Sequence, residues 1–210
     1  MVEALRKLAS RRVEGLEDLP DEDIVAMCKQ ELPADLTAYR ELLRRYEGLV
    51  YNTCQKLLGS RTDAEEVAQD ALIQVFHKIH QFEGRSAFKT WLYKIVHNYC
   101  RNRISKIIRK REGQTAYEAH AADTQSDVAV PDSQLELSAH VEEALSKLKD
   151  KDREIVILKF MSGLTLQEIA DVLGVGLSAA KMRLYRALDE FKKAYVRLEG
   201  DGPVTLRSEE

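Results

Sequence analysis

Cysteine is scarce. Cys28, Cys54 and Cys100 are the only three in 210 residues. They are odd in number, widely spaced and free of any CxxC pattern, which argues against both a zinc ribbon and a disulfide framework. They read as small, partly buried thiols in a reducing compartment. Proline is also rare, with four residues and none between Ala34 and Val130, so long helices can run uninterrupted. No glycine-rich phosphate loop is present. No apolar run approaches a membrane span, and the opening MVEALRKLASRR lacks the apolar core of a signal peptide. A cytoplasmic protein with no direct membrane insertion is expected. His77, His80 and His97 have no third ligand at suitable spacing, so no metal site is expected. No nucleophile and base arrangement emerges either, so neither an enzyme nor a cofactor is expected.

What is abundant is helix-forming sequence and charge. Charged residues make up 32% of the chain, and the net charge is only -3. The average conceals a segregation. Arg85 to Arg111 carries nine Lys or Arg and no acid, whereas Glu112 to Glu136 carries six acids and no Lys or Arg. A basic block beside an acidic one points to a polyanionic partner more strongly than the net charge argues against it.

The periodicity predicts an all-α fold of two small helical domains joined by a flexible linker. Residues 1–19 read as a charged leader and 20–111 as the first domain. Residues 112–133 read as an acidic linker without a periodic apolar face. Residues 134–198 form the second domain, and 199–210 a tail. Within the first domain, helices are expected over Asp21–Gln30, Asp35–Leu58, Asp63–Phe82 and Ser86–Lys110. Tyr39, Leu42, Leu43, Tyr46, Val50 and Cys54 are the inward stripe of the second helix. Ala64, Ala68, Leu72, Val75 and Ile79 are that of the third.

The second domain carries the sharpest signal. Thr165-Leu166-Gln167-Glu168 matches a capping box. Ile169, Val172 and Leu173 give an apolar face, Gly174 suits a left-handed turn, and Val175 can fill the corner. A further helix begins near Gly176 to Ser178, with Ala180, Leu184, Leu188, Phe191 and Tyr195 inward. Ser178, Ala179, Lys181, Met182, Arg183 and Arg186 lie on or beside its outer face. Small residues followed by cations suit entry into a DNA groove, so Thr165 to Leu188 reads as a helix-turn-helix. The bland alternative is a packed helix pair with a solvated basic face.

In the first domain, Glu66, Gln69, Asp70 and Gln74 share one face of the third helix. That face reads either as solvated surface or as a docking site for a basic partner. On the fourth helix, Phe88, Trp91, Leu92, Ile95, Val96 and Tyr99 form an aromatic stripe, and most of these belong in a core. Arg85, Ser86, Lys89, Lys94, Asn98, Arg101 and Arg103 accompany it as candidate contacts to single-stranded DNA. The preceding loop, Phe82 to Ser86, could pocket an extruded base.

Four strings carry a family resemblance. They are Ala38 to Tyr46 (AYRELLRRY), Asp63 to Asp70 (DAEEVAQD), Phe88 to Ile95 (FKTWLYKI) and the helix-turn-helix. In this order they resemble the extracytoplasmic-function group of the sigma-70 family, over about Leu19 to Leu198. The resemblance implies that the first domain corresponds to region 2. Its acidic helix would dock on the clamp helices of the RNA polymerase beta-prime subunit, with Gln69 and Asp70 in that contact. The Phe82 to Lys89 loop and the fourth helix would open and hold the minus-ten element as melted single strand. The second domain corresponds to region 4, reading the minus-thirty-five element as duplex. Core polymerase with its beta flap, promoter DNA and an anti-sigma factor are the implied partners. Gly176 to Ala180 (GLSAA) departs from the usual start of the recognition helix, so no promoter sequence follows. The alternatives are a helix-turn-helix regulator that never joins polymerase, and a helical adaptor.

Overall fold

The computed structural model describes residues 15–113 and 132–200. Most of the acidic linker, the start of the leader and nearly all of the tail lie outside these residues. The described residues form helices and turns, with no strand among them.

The first unit is built by local stop and start signals. Helix α1 (Asp21–Glu31) follows Pro20, carries three acids in its first turn where the helix dipole favours them, and ends before Pro33. The Asp35 carboxylate then accepts from the Thr37 amide at 2.8 Å and starts α2 (Thr37–Leu58). Gly59 closes α2 in the left-handed region at φ 68°, its amide returning to the Gln55 carbonyl. Helix α3 (Arg61–Lys78) begins two residues before the expected Asp63. The Ser60 hydroxyl provides the cap, and Asp63 instead pairs with Arg103 at 2.7 Å. A single 3-10 turn, Ile79–Gln81, follows. The loop through Gly84 then leads into α4 (Phe88–Gly113).

Both expected stripes are buried. Tyr39, Leu42, Leu43, Tyr46, Val50 and Cys54 of α2 meet Ala64, Ala68, Leu72, Val75 and Ile79 of α3. The Tyr39 hydroxyl crosses between them to donate to the Leu72 carbonyl at 2.6 Å. The three cysteines are fully buried rather than partly so, and the Cys54 and Cys100 sulfurs lie 3.6 Å apart. Burial pushes the Cys28 thiol up to about 12.

A polar knot lies inside this unit. Glu41 has no exposed surface, yet accepts three hydrogen bonds of 2.7 Å, two from Arg44 and one from Arg45. Arg45 also donates to Asp21 and to the carbonyls of Leu16, Glu17 and Leu19. The Tyr46 hydroxyl bonds the second Asp21 oxygen. These contacts fasten residues 16–21 onto α2, so the segment just before α1 is held by a guanidinium rather than by apolar burial alone.

The second unit contains α5 (Asp132–Ser146), α6 (Asp150–Met161), α7 (Leu166–Leu173) and α8 (Leu177–Gly200). Leu148, Ile155, Leu158, Leu164, Ile169, Val172, Ala180, Leu184 and Ala187 form its core. The two cores interlock. Tyr93 of α4 lies in the second core and Ile157 of α6 in the first.

Candidate promoter-DNA and polymerase interfaces

The helix-turn-helix is built as its sequence dictates. The Thr165 side chain accepts from the Glu168 amide at 3.3 Å, and Glu168 Oε2 accepts from the Thr165 amide at 2.8 Å, completing the capping box. Gly174 adopts φ 66°, ψ 37°, a conformation that costs a residue with a Cβ. The amides of Gly174 and Val175 both return to the Ala170 carbonyl. The chain is thereby turned within three residues into α8.

On α8, Ala180, Leu184 and Ala187 are buried. Ser178, Ala179, Lys181, Met182 and Arg186 are exposed and Arg183 is half-buried. Met182 is 71% exposed and Tyr185 58%. Lys181 lies over the Tyr185 ring, 5.9 Å from its centroid. Tyr185 therefore belongs to this outer surface as well. Arg186 differs from its neighbours. It bonds the buried carboxylate of Asp152 on α6 at 3.0 Å, so one of the candidate DNA cations also neutralises an acid within its own unit.

On α3, Glu66 and Asp70 are exposed and Gln69 and Gln74 half-buried. They share a face, but their surroundings differ. Glu66 and Asp63 together hold Arg103 of α4, and Gln74 accepts from the Tyr99 hydroxyl at 3.3 Å. Asp70 makes no ion pair among the described residues. Arg103, a candidate strand contact, is thus committed to the α3–α4 seam.

Along α4, Phe88, Leu92 and Val96 are buried, whereas Trp91, Ile95 and Tyr99 are half-buried. Trp91 packs against Phe82 and Phe88 at centroid separations of 5.4 and 5.9 Å. Lys94, Asn98 and Arg101 are exposed, as are Arg85 and Ser86 in the loop. Arg85 pairs with Glu83 at 2.6 Å in open solvent, a contact of little energetic weight. Phe82, Arg85, Ser86, Trp91 and Lys94 line a cleft of about 500 Å³, whose opposite wall is Ala170, Asp171, Gly174 and Val175 of the second unit. The cleft lies beside the loop, and the helix-turn-helix forms its far side.

A second buried face of α4 was not legible beforehand. Thr90, Tyr93 and His97 are at most 5% exposed. They meet the second unit through Thr90 Oγ1 to Glu168 Oε1 at 2.8 Å and His97 Nε2 to Glu154 Oε1 at 2.7 Å. Burial raises the Glu168 carboxyl, but hydrogen bonds from Thr165 and Thr90 and the charge of Lys89 outweigh it and hold the group below its ordinary value.

This geometry defines a class: a two-unit helical protein with a basic α4 face and a helix-turn-helix. Comparison with known proteins sharpens it. Residues 42–111 match the model of Sigma-70 region 2, and residues 139–190 that of Sigma-70 region 4. The chain is 31% identical over 176 residues to the ECF RNA polymerase sigma factor SigW of Bacillus subtilis, covering 79% of this chain and 92% of that one. It is 28% identical over 179 residues to the ECF RNA polymerase sigma-E factor of Haemophilus influenzae, covering 81% and 93%. Among solved structures, CnrH in complex with the cytosolic domain of CnrY is similar at a TM-score of 0.62 and 23% identity, covering 86% of this chain and 98% of that one. RpoE of Bartonella quintana, in complex with the anti-sigma factor NepR, is similar at the same TM-score and identity, covering 74% and 95%. The chain belongs to the sigma-70 family of RNA polymerase sigma factors, in its extracytoplasmic-function group.

Proposed function

We propose that this sigma factor carries core RNA polymerase to promoters through two separate grips on DNA and leaves all covalent chemistry to the polymerase. Residues 20–111 act as the region 2 domain and 134–198 as the region 4 domain, with 112–133 as the connection between them. In this reading the acidic face of α3 docks on the beta-prime clamp helices, and the second unit rests on the beta flap. Arg85, Ser86, Lys89, Lys94, Asn98 and Arg101 track the melted minus-ten strand, while Arg103 supports α4 from behind. Ser178, Ala179, Lys181, Met182, Arg183 and Arg186 face the minus-thirty-five duplex. The observation that carries the reading is the pairing of an exposed cationic α8, set behind a complete capping box and glycine turn, with a second basic helix on the other unit.

Two weak contacts joined by a linker act at high effective concentration, so neither grip need be strong alone. None of the described helices is long and apolar enough to cross a membrane, consistent with action beside the polymerase in the cytoplasm. An anti-sigma factor is a natural further partner, because the similar solved structure of RpoE holds that protein in complex with the anti-sigma factor NepR.

The docking face has a direct test. Asp70→Arg places a cation where the account needs an anion, and it disrupts no ion pair among the described residues. Affinity for core polymerase, measured by fluorescence anisotropy of the labelled chain, should fall at least about tenfold, equivalent to about 1.4 kcal/mol. Duplex binding by the isolated chain should be unchanged. An unaltered polymerase affinity removes α3 from the interface.

A further inference from the structure

The loop between α3 and α4 hangs from two buried aromatics. Phe82 and Phe88 are 5% and 1% exposed, and their rings meet edge to face at 5.9 Å. Every residue between them, Glu83 to Ala87, is exposed. Inside the loop Arg85 pairs with Glu83, and the Ser86 hydroxyl turns onto the Ala87 carbonyl. Among the described residues, no side chain of Glu83 to Ser86 makes a hydrogen bond or ion pair to another element. The loop is therefore placed by its two feet rather than by its own contacts.

The far foot is ordinary helix. The Trp91 amide donates to the Ala87 carbonyl at 3.3 Å and continues the ladder of α4. The near foot is not. The Phe82 amide donates back to the Ile79 carbonyl at 3.1 Å, which leaves the Phe82 carbonyl beyond the 3-10 turn and in need of a donor. Lys29, 53 residues earlier, supplies it through Nζ. The same ammonium lies over the Phe82 ring, 5.7 Å from its centroid, a favourable place for a cation. One side chain thus holds both the backbone and the ring of Phe82. Fixing the carbonyl fixes the plane of the Phe82–Glu83 peptide, and with it the direction in which the loop departs. Fixing the ring keeps Phe82 against Trp91 at 5.4 Å, and both line the cleft with Arg85, Ser86 and Lys94.

Lys29 is itself carried on a firm base. Helix α1 buries Ile24, Val25 and Cys28 in the first core. Its first residue, Asp21, is held by Arg45 and Tyr46 of α2. Lys29 stands in the last turn, half-buried and without an ion pair among the described residues, so no carboxylate competes for its ammonium. Helix α1 is a strut, pinned at its start by the polar knot and bearing at its end on the root of the loop.

We propose that Lys29 is a positioning residue for recognition of the minus-ten element. It holds the Phe82 to Ser86 loop in the shape that selects an extruded base, and does so without touching DNA. Precise sites depend on such supporting groups behind the residues that make contact. The proposal rests on the reading of this loop as the base pocket.

The test uses holoenzyme assembled from core RNA polymerase and the full chain, as native, Lys29→Met and Lys29→Arg. Methionine keeps an apolar stem over the ring and removes the donor, whereas arginine keeps the charge and N–H donors. The probe is single-stranded DNA of randomised sequence. Bound molecules are sequenced, and binding of the whole pool is followed by anisotropy across a salt series. Randomised duplex DNA, selected by the same holoenzymes, is the internal control. Native holoenzyme should enrich particular bases in the single strand. Lys29→Met should lose about tenfold in enrichment at one position, within the hundredfold that a misplacement of about 1 Å can cost. Its salt slope and its duplex selection should stay native, and Lys29→Arg should recover most of the loss. Native enrichment by Lys29→Met overturns the positioning role. So does a loss that is uniform across sequences with a salt slope lower by about one, which marks a phosphate contact. Joint loss of strand and duplex selection, which marks a role in folding alone, overturns it too. If native holoenzyme enriches no base in the single strand while its duplex selection is intact, the base-pocket reading of the loop falls, and the proposal with it.

Discussion

Lys181→Ala combined with Arg183→Ala should lower affinity for a duplex promoter fragment about a hundredfold, with little change in thermal stability. Each side chain that reads a base bidentately contributes about 1–3 kcal/mol of discrimination, so losing two is on the order of 3 kcal/mol. Each that touches only phosphate should reduce the salt slope by about one. The comparison of slope with affinity therefore sorts the two roles residue by residue. Arg186 is left out of this pair for a structural reason. Its guanidinium faces Asp152, whose side chain is only 8% exposed. Arg186→Ala would strip a buried carboxylate of its partner and mix lost folding stability with lost DNA contact. Arg186→Ala placed beside Asp152→Asn in a double-mutant cycle separates the two contributions. Titration of each variant against a labelled promoter duplex, with melting curves in parallel, is the measurement. A double variant that binds duplex as the native chain does would remove α8 from the DNA interface.

The second large effect is on folding. Glu41→Ala should lower stability by about 3 kcal/mol, and Glu41→Gln by less, because it removes three charge-assisted hydrogen bonds made in a fully buried site. For a chain of this size that corresponds to a fall of about 9 °C in Tm. Hydrogen bonding from Arg44 holds the Glu41 carboxyl below its ordinary value of 4.5, with Arg45 adding to it, against burial that pushes the group up. The sign of the pH dependence follows. A carboxyl depressed in the folded state stabilises the fold fully above its unfolded value, and that contribution disappears as pH falls through the folded value. The native chain should therefore lose stability on acidification below about pH 4.5 more steeply than Glu41→Gln does. Denaturant unfolding from pH 7 to pH 3 measures this. Parallel pH profiles would mean that the knot is energetically idle.

The helices of the first unit were legible because α2 and α3 each bury one face. Tyr39 to Cys54 and Ala64 to Ile79 repeat at three and four residues, which is the pattern that a single buried stripe must have. Thr165, Glu168 and Gly174 were legible because capping and left-handed turns are local chemistry and need no tertiary partner. Helix α4 resisted the same reading. It is buried on two faces, and the second face is made of Thr90, Tyr93 and His97, residues whose types suggest solvent. The second unit, distant in sequence, makes that face interior: its apolar core takes in Tyr93, and Glu168 and Glu154 meet Thr90 and His97. Glu41 and Asp152 were hidden for a related reason. A carboxylate in a charged string such as Arg40 to Arg45 looks solvated unless it is known which arginines turn inward to meet it. The candidate DNA contacts divide along the same line. The exposed cations Lys181, Lys94 and Arg101 stand where their spacing put them. Arg103 and Arg186 are held by acids that sequence distance conceals.

As a sigma factor, this chain should give core polymerase a promoter. The most direct measurement is run-off transcription from genomic DNA fragments, using core RNA polymerase with and without the purified chain, with transcript ends mapped. Discrete start sites should appear only when the chain is present, depend on Lys181 and Arg183, and disappear with Asp70→Arg. Identical transcripts from core polymerase alone, together with binding of the chain to duplex as a dimer, would contradict it and favour a regulator that acts without joining the enzyme.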